Sequence, residues 1–267
     1  YVLVLGSRGL VGSALSENLV GAGYNVLEVR GRDHIDLRQP GALDVFNGLD
    51  IRLVYFLACE VGGSGFLERQ DSQWLILDSN TRIYNTVFPW LRHHDIPVVF
   101  TSSVLAAGNG TYAAIKHLGE EFTAELPHGK SVRLWNVYGV EKPGLRAHVA
   151  ADFVNKCITK HSIDSRTDGT EVRQYQFAGD VAVALAAYAR STAWDVANAV
   201  EDVATGKWVT TRRLATAVSA AAVNAGLPPC GFVPAEKPAA PRESVEPNLD
   251  TRFHAVASTP YTRLTDG

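Results

Sequence analysis

One glycine-rich turn near the start of the sequence constrains the fold more than any other feature. A short apolar run, Val2–Leu5, leads into three glycines spaced G-x-x-G-x-x-G, and an amphipathic run follows over Val11–Ala22. This order suits a dinucleotide phosphate, because glycines let the backbone approach the pyrophosphate and the helix N-terminus faces the anion. A purely structural turn is the alternative. We predict a phosphate-binding loop that consists of Gly6, Ser7, Arg8, Gly9, Leu10, Val11 and Gly12.

Hydrophobic periodicity predicts the rest of the fold. Through about residue 139, short apolar runs alternate with longer amphipathic ones, as in parallel strands joined by crossover helices. We therefore predict a Rossmann-type, doubly wound parallel α/β sheet over residues 1–139, rejoined by 175–195, and a smaller mixed C-terminal substrate-binding cap, mainly 140–267. The predicted strands are Val2–Leu5, Asn25–Val29, Leu53–Leu57, Val98–Ser102 and Val132–Leu134, and the main helices are Val11–Ala22, Trp74–His93, Tyr112–Leu126, Ala147–Lys160, Val181–Ala189 and Arg212–Ala225.

Composition excludes several classes of protein. With 46% hydrophobic and 20% charged residues, the 267-residue chain is neither intrinsically disordered nor a disulfide scaffold. No window approaches about 18 uninterrupted apolar residues, so we expect no membrane span, and no secretory signal is evident. The 25 Lys and Arg against 28 Asp and Glu leave no basic excess for nucleic acid. Cys59, Cys157 and Cys230 form neither a metal pattern nor an even disulfide set, so we expect no metal and a cytoplasmic location.

The end of the second strand indicates which dinucleotide is bound. NAD sites usually place an acidic residue there for the ribose 2′-hydroxyl, whereas a 2′-phosphate favours Arg. This strand ends with Glu28, Arg30 and Arg32, and Arg8 lies in the phosphate loop. Guanidinium groups can hold a phosphate through two parallel hydrogen bonds. Although Glu28 argues for NAD and the arginines could simply be solvated, we predict NADP(H), bound by Arg8, Arg30 and Arg32.

Four polar residues form a catalytic pattern. Ser102 and Ser103 follow the fourth strand, and Tyr112 and Lys116 lie on one face of the next helix. In carbonyl reduction a tyrosine can donate the proton, an ammonium lowers its pKa and holds the nicotinamide ribose, and a serine orients the carbonyl oxygen. A Tyr-x-x-x-Lys pair alone is a weak signal, but its position after a phosphate loop and a Ser-Ser strand end favours catalysis. We assign these roles to Tyr112, Lys116 and Ser102, with Ser103 as the second candidate for the serine.

Together these motifs resemble the extended short-chain dehydrogenase/reductases that act on nucleotide sugars. Within that superfamily the chain is most similar to GDP-L-fucose synthases, through residues 6–14 and Glu60-Val61-Gly62-Gly63, and then to GDP-mannose 3,5-epimerases. The resemblance implies a nucleotide-sugar substrate and a homodimer. The residues that carry it are the phosphate loop, Leu57-Ala58-Cys59, Ser102-Ser103, Tyr112 with Lys116, and Arg133–Gly139.

The resemblance also implies further site residues. His148 corresponds to a second acid/base residue, and Arg173 to an arginine that holds the nucleotide diphosphate, for which a guanidinium is well suited. A structural histidine and a surface ion pair are the respective alternatives. The implied cofactor contacts are Leu57, Ala58 and Asn136, and the implied substrate contacts are Val61, Gly62, Gly63, His148 and Arg173.

The sequence departs from both families shortly after the catalytic serine. They carry a Cys there, used as an acid or base in epimerisation, where this chain has Val104 and Leu105. Without an ionisable group, proton abstraction beside the ketone loses one of its two agents, whereas hydride delivery does not depend on it. We therefore favour NADPH-dependent reduction of the 4-keto group of a nucleotide-linked 4-keto-6-deoxy sugar, preferably GDP-linked. A nucleotide-sugar epimerase and a non-catalytic dinucleotide-binding regulator are the alternatives.

The sequence contains no methionine. Average usage predicts about five in a chain of this length, and only eight residues separate Ser103 from Tyr112, fewer than in extended members of the family. We therefore expect residues to be missing from the sequence beside the catalytic pair, so that spacings there are compressed.

Overall fold

The protein is described by a computed structural model that covers residues 1–190 and 200–236. The strands are β1 (Val2–Leu5), β2 (Val26–Val29), β3 (Leu53–Phe56), β4 (Val98–Ser103), β5 (Gly129–Leu134), β6 (Asn136–Tyr138), β7 (Ser162–Asp164), β8 (Val172–Arg173), β9 (Tyr175–Phe177), β10 (Val200–Val203), β11 (Val209–Thr210) and β12 (Gly231–Val233). The helices are α1 (Leu10–Gly21), α2 (Ser64–Leu67), α3 (Gln70–His94), α4 (Thr111–Ala124), α5 (Val149–Lys160), α6 (Ala178–Arg190) and α7 (Thr211–Asn224).

A six-stranded parallel sheet forms the centre of the molecule, in the order β10-β5-β4-β3-β1-β2. Its inner strands are buried on both faces, because parallel strands are connected by helices that cover the sheet. The prediction of a Rossmann-type doubly wound sheet is confirmed, and the five predicted strands are all present. The prediction missed the first half of β5, where Lys130 and Ser131 read as polar. Lys130 is buried because its ammonium pairs with Glu201 of β10.

Two hydrophobic layers hold helices against the sheet. On one face, α3 and α4 pack through an aromatic cluster in which Phe56 and Phe100 lie edge to face, with ring centroids 5.4 Å apart. On the other face, α1 packs against α6, and the Tyr55 hydroxyl donates to the Leu185 carbonyl at 2.8 Å. The first layer carries Tyr112 and Lys116, so aromatic packing positions the candidate catalytic helix.

A smaller unit with its own core lies beyond the sheet. Helices α5 and α7 pack together over short strands, and β7 pairs in parallel with β12. Cys157 and Cys230 form a disulfide in this core, with 5.5 Å between their Cα atoms. The expectation that the cysteines form no disulfide is therefore wrong. The two half-cystines lie 73 residues apart in sequence, and their spacing carries no signal of the fold that brings them together.

Two segments that follow residue 139 belong to the main sheet and its helices. Helix α6 returns to the main sheet, and β10, from the range assigned to the cap, forms the sheet edge beside β5. Of the ranges predicted for the returning segment and the cap, residues 191–199 and 237–267 lie outside the described residues. Over the described ranges no helix is long and apolar enough to cross a membrane.

The α4 packing yields a stability prediction. A Cβ on Gly119 would lie 2.3 Å from Phe100 Cζ and 2.9 Å from the Tyr84 hydroxyl. We expect Gly119→Ala to lower the free energy of unfolding by about 1–3 kcal/mol through overpacking. The measurement is urea denaturation followed by circular dichroism.

The matched control is Gly21→Ala at the end of α1, where an added Cβ meets nothing within 4 Å. Because alanine favours helix, its free energy of unfolding should be unchanged or up to about 1 kcal/mol higher. Equal losses in the two variants would contradict the packing argument.

Candidate active site

A cavity of about 1260 Å³ opens where the carboxyl ends of the central strands meet the smaller unit. In open parallel sheets this edge is where ligands bind, because loops from neighbouring strands diverge there. Residues from both parts of the molecule line the cavity. It is therefore large enough and suitably placed for a cofactor and a second ligand.

The phosphate loop has the close backbone contacts that its glycines predict. Gly6 has φ +93°, and a Cβ there would lie 2.8 Å from the Ala58 nitrogen. A Cβ on Gly12 would lie 2.2 Å from the Gly6 carbonyl oxygen. A side chain at either position would therefore clash with the backbone around the turn. The loop residues that line the cavity are Gly6, Gly9, Leu10, Val11 and Gly12, whereas Ser7 is buried beneath it.

Each of the three predicted cofactor arginines is held by a carboxylate. Arg8 forms two hydrogen bonds with Asp33, at 3.0 and 2.9 Å, in an exposed pair outside the cavity wall. Arg30 pairs with Glu28 at 2.9 Å. Arg32 pairs with Glu60, whose carboxylate is almost completely buried. Arg30 and Arg32 line the cavity.

Glu28, the residue that argued for NAD, lies on β2 beneath the phosphate loop. Burial raises the pKa of its carboxyl, but the hydrogen bonds and positive charge of Arg30, together with smaller effects of the nearby Ser16 and Ser7, outweigh burial and lower that pKa overall. Glu28 is therefore an ionised partner of Arg30 and does not line the cavity.

Tyr112 and Lys116 lie together in the cavity wall, as the helical spacing predicts. The Lys116 ammonium is buried, donates to the Thr101 carbonyl at 2.8 Å and lies 5.8 Å from the centroid of the Tyr112 ring. Burial and the neighbouring Cys59 raise the pKa of Tyr112, and a hydrogen bond with Ser103 opposes that rise. Tyr112 therefore keeps its proton at neutral pH and can donate it.

The structure separates the two candidate serines. The Ser102 hydroxyl is buried and donates to Glu120 at 2.5 Å. Arg133 donates to the same carboxylate twice, both at 2.7 Å. Ser103 instead begins a 3₁₀ turn, accepts a hydrogen bond from the Leu105 nitrogen at 3.2 Å and faces Tyr112. Alternation along β4 therefore directs one hydroxyl to a structural carboxylate and the other to the candidate acid.

A thiol, Cys59, lies beside the catalytic pair and was missed as a functional candidate. It follows β3, lines the cavity and interacts with the Lys116 ammonium. Burial raises the pKa of Cys59, although Lys116 partly counteracts that effect. Its position directly after a buried strand was the signal, because the carboxyl ends of parallel strands form the site. The absence of Cys after Ser103 therefore does not mean that the site lacks a thiol.

His148 also lines the cavity, at the start of α5. Its Nδ1 lies 2.7 Å from Glu141 Oε1, and its backbone nitrogen donates to Glu141 Oε2 at 3.2 Å. A carboxylate that orients an imidazole is a common arrangement in proton transfer. Glu141 is a further residue that sequence reasoning missed, since it lies in an irregular segment without periodicity.

The remaining predicted contacts also line the cavity. Arg173 lies on β8 and donates to the Val172 carbonyl at 2.6 Å, while the Asn136 amide donates to the Gln174 carbonyl at 3.4 Å. A Cβ on Gly63 would lie 2.2 Å from the Ala147 carbonyl oxygen, so this glycine lets the β3 loop meet the segment before α5. The other predicted residues in the cavity wall are Leu57, Ala58, Val61 and Gly62.

Comparison with known proteins agrees with this fold. The profile of the NAD dependent epimerase/dehydratase family matches residues 2–204, and the chain belongs to that family. No match is found among curated proteins. The predicted superfamily is therefore confirmed, whereas a particular closeness to GDP-L-fucose synthase is not established.

Solved structures share the fold over nearly their whole length. The UDP-glucose 4-epimerase of Thermus thermophilus, solved with NAD, has a TM-score of 0.75 at 22% identity, covering 100% of this chain and 96% of its own. MoeE5 with UDP-glucuronic acid and NAD has a TM-score of 0.75 at 20% identity, and the match covers 100% of this chain and 95% of MoeE5. TunA, an NAD-dependent NDP-hexosamine 5,6-dehydratase, has a TM-score of 0.74 at 18% identity, and the match covers 100% of this chain and 94% of TunA. At these identities the likeness is one of fold.

The environment of Cys59 predicts its reactivity. Because burial raises the pKa of Cys59, we expect iodoacetamide to alkylate it more slowly in the folded protein than in urea. The rate should keep rising above the pH at which an ordinary cysteine levels off, since only the thiolate reacts. Mass spectrometry of the adduct against pH provides the measurement.

Two variants serve as controls for the Cys59 measurement. Cys59→Ser should abolish the adduct, because Cys157 and Cys230 are joined. Lys116→Met should slow alkylation further, because the ammonium lowers the pKa of the thiol. Fast labelling of the folded protein near pH 7 would contradict this description.

Proposed function

We propose that the protein is an NADP(H)-dependent reductase of the 4-keto group of a nucleotide-linked 4-keto-6-deoxy sugar. The observation that carries the proposal is the arrangement of Tyr112, Lys116 and Ser103 in the wall of a cavity that also contains the phosphate loop. The family supports oxidoreductase chemistry on nucleotide sugars. A GDP-linked substrate is favoured by the resemblance of residues 6–14 to the fucose synthase loop. Of the similar structures, MoeE5 holds UDP-glucuronic acid and the Thermus thermophilus enzyme is a UDP-glucose 4-epimerase.

The residues around the phosphate loop fit a dinucleotide. The Gly6–Gly12 turn is packed too closely to accept a Cβ at Gly6 or Gly12, and α1 begins within it at Leu10, so the backbone N–H groups of the first helical turn face the cavity. Arg30 and Arg32 lie at the end of β2, where a 2′-phosphate would be held. When bound, the reduced nicotinamide supplies the hydride. The neighbours with a named cofactor bind NAD, so the preference for NADP(H) rests on these arginines.

The side chains have distinct tasks in this reaction. As a hydride reaches the carbonyl carbon, the oxygen gains a negative charge and takes the Tyr112 phenolic proton, which leaves an alcohol and a phenolate. The Lys116 ammonium stabilises that phenolate, and bulk solvent returns the proton afterwards. Ser103, the hydroxyl that faces Tyr112, orients the carbonyl oxygen. Arg173 would hold the nucleotide diphosphate.

The two serines allow a sharp test. Tyr112→Phe should lower kcat by about 10²–10⁴-fold, the usual contribution of a general acid. Ser103→Ala should lower kcat by about 10²-fold, as for loss of one oriented donor. Ser102→Ala should affect the free energy of unfolding more than kcat, because its buried hydroxyl donates to the structural carboxylate of Glu120. The measurement is NADPH oxidation with GDP- and UDP-linked 4-keto-6-deoxy sugars.

Two outcomes would count against this assignment. If Ser102→Ala lost as much activity as Ser103→Ala at unchanged stability, the serine roles would be reversed. If no 4-keto sugar nucleotide oxidised NADPH, the reductase proposal would fail.

The His148–Glu141 pair favours one alternative, a nucleotide-sugar epimerase. A second acid/base residue lines the same cavity as Tyr112, and proton removal and return beside a ketone is what 3,5-epimerisation of a 4-keto sugar requires. In deuterated buffer a 3,5-epimerase would incorporate deuterium at the sugar carbons beside the ketone, whereas a simple reductase would not. His148→Asn should abolish such exchange and leave hydride transfer intact.

We also propose a homodimer through α3 and α4. Trp74 is 73% exposed and Leu77 42% on α3, and Leu118 is 40% exposed and Phe122 37% on α4. Exposed apolar residues on adjacent helices are typical of an interface. Sedimentation analysis tests this proposal.

The cytoplasmic location remains a prediction.

A further inference from the structure

We propose that Arg146, on the substrate side of the cavity, determines the preference for NADP(H) by acting through Glu60. Glu60 follows β3, and its carboxylate takes part in no step described above. The inference rests on the proposed function, because it places the 2′-phosphate beside Arg32. It assigns a cofactor-selecting role to a residue far from the end of β2 in sequence.

Glu60 is held between two guanidinium groups. Its carboxylate is 3% exposed; Oε2 accepts a hydrogen bond from Arg32 and Oε1 accepts one from Arg146. Its backbone is bound on both sides by the buried Asn80, with the Glu60 nitrogen donating at 2.8 Å and the Asn80 amide donating to the Glu60 carbonyl at 3.1 Å. The carboxylate therefore stays in place whichever arginine moves.

The three arginine pairs near the end of β2 differ in how easily they break. The Arg8–Asp33 and Arg30–Glu28 pairs are exposed to solvent, where an ion pair adds little to stability, so a phosphate dianion can displace either carboxylate. Glu60 is different, because a buried carboxylate left without a cation is strongly destabilised. Arg32 can turn to a phosphate only if another cation remains on Glu60.

Arg146 is placed to be that cation. Its guanidinium carbon lies 4.4 Å from the centroid of the Phe66 ring, and its carbonyl accepts from the Gly63 nitrogen at 2.9 Å. These contacts fix Arg146 from the substrate side, independently of Arg32. When Arg32 binds a 2′-phosphate, Arg146 keeps Glu60 neutralised. NAD has a hydroxyl at that position and does not require Arg32 to leave.

The test measures binding of NADP⁺ and NAD⁺ by isothermal titration calorimetry, without turnover. We expect Arg146→Gln to weaken NADP⁺ binding by about tenfold or more, since Glu60 then retains Arg32, and to change NAD⁺ binding by less than about twofold. Arg146→Lys keeps the charge and should retain most of the NADP⁺ affinity. Glu60→Gln should bind NADP⁺ at least as tightly as the unaltered protein, because a neutral amide releases Arg32.

The double variant decides whether Arg146 acts through Glu60. In Glu60→Gln with Arg146→Gln, NADP⁺ affinity should equal that of Glu60→Gln alone, because the loss caused by Arg146→Gln requires the carboxylate. Asp71→Asn removes an exposed Arg69 pair outside the cavity wall and should alter neither affinity. If Glu60→Gln does not fold, the contrast between Arg146→Gln and Arg146→Lys decides alone.

Three results would overturn the inference. Equal weakening of NADP⁺ and NAD⁺ by Arg146→Gln would indicate a general structural effect, and so would equal affinities in Arg146→Gln and Arg146→Lys. A double variant that keeps the loss of Arg146→Gln would show that Glu60 is not the intermediary. Selective loss of NADP⁺ affinity in a protein that reduces no sugar nucleotide would support the inference and refute the proposed function. Binding of neither dinucleotide would refute both.

Discussion

The Glu120 carboxylate fixes the catalytic helix to the sheet, and the rest of the candidate site depends on that attachment. Tyr112, Lys116 and Glu120 recur at four-residue intervals and so share one face of α4. At the far end of that face, Glu120 binds Ser102 of β4 and Arg133 of β5, two residues that lie opposite each other in the strand register. A charge that is buried needs such partners, because a lone carboxylate would be strongly destabilised. The phenol and the ammonium are thereby placed at the strand ends.

Glu60, in the cavity wall, is a second buried carboxylate that needs cationic partners. Both carboxylates are nearly inaccessible to water and both are neutralised by arginine, but Glu120 has one bidentate partner from the sheet and Glu60 has two partners from different sides. The Glu120 arrangement is rigid because both of its partners, Ser102 and Arg133, belong to the central sheet. In the Glu60 arrangement one of the two arginines can leave while the other stays. A fixed carboxylate therefore supports the chemistry, whereas a shared one suits ligand recognition.

Much of the fold could be predicted from the sequence, because its signals are local. The strand-turn-helix around Gly6, the apolar runs of the inner strands and the Tyr112–Lys116 spacing all depend on residues within a few positions of one another. Long-range pairing could not be predicted. Lys130 reads as a polar break in a strand until Glu201 of β10 is placed beside it, and the Cys157–Cys230 bond joins elements with no shared pattern. Glu60 and Arg146 were missed as functional residues for the same reason, since their pairing joins segments distant in sequence, whereas the position of Cys59 after β3 was a local signal.

The alternation of β4 gives two chemically identical hydroxyls different tasks. Ser102 and Ser103 are adjacent in sequence, yet one is a ligand of a buried carboxylate and the other faces the phenol. Six residue pairs with β5 hold this register. Loss or gain of a single residue upstream within the strand would exchange the two positions, and every motif letter would survive unchanged. The task of each serine therefore depends on the length and register of the strand before it as much as on the identity of the residue.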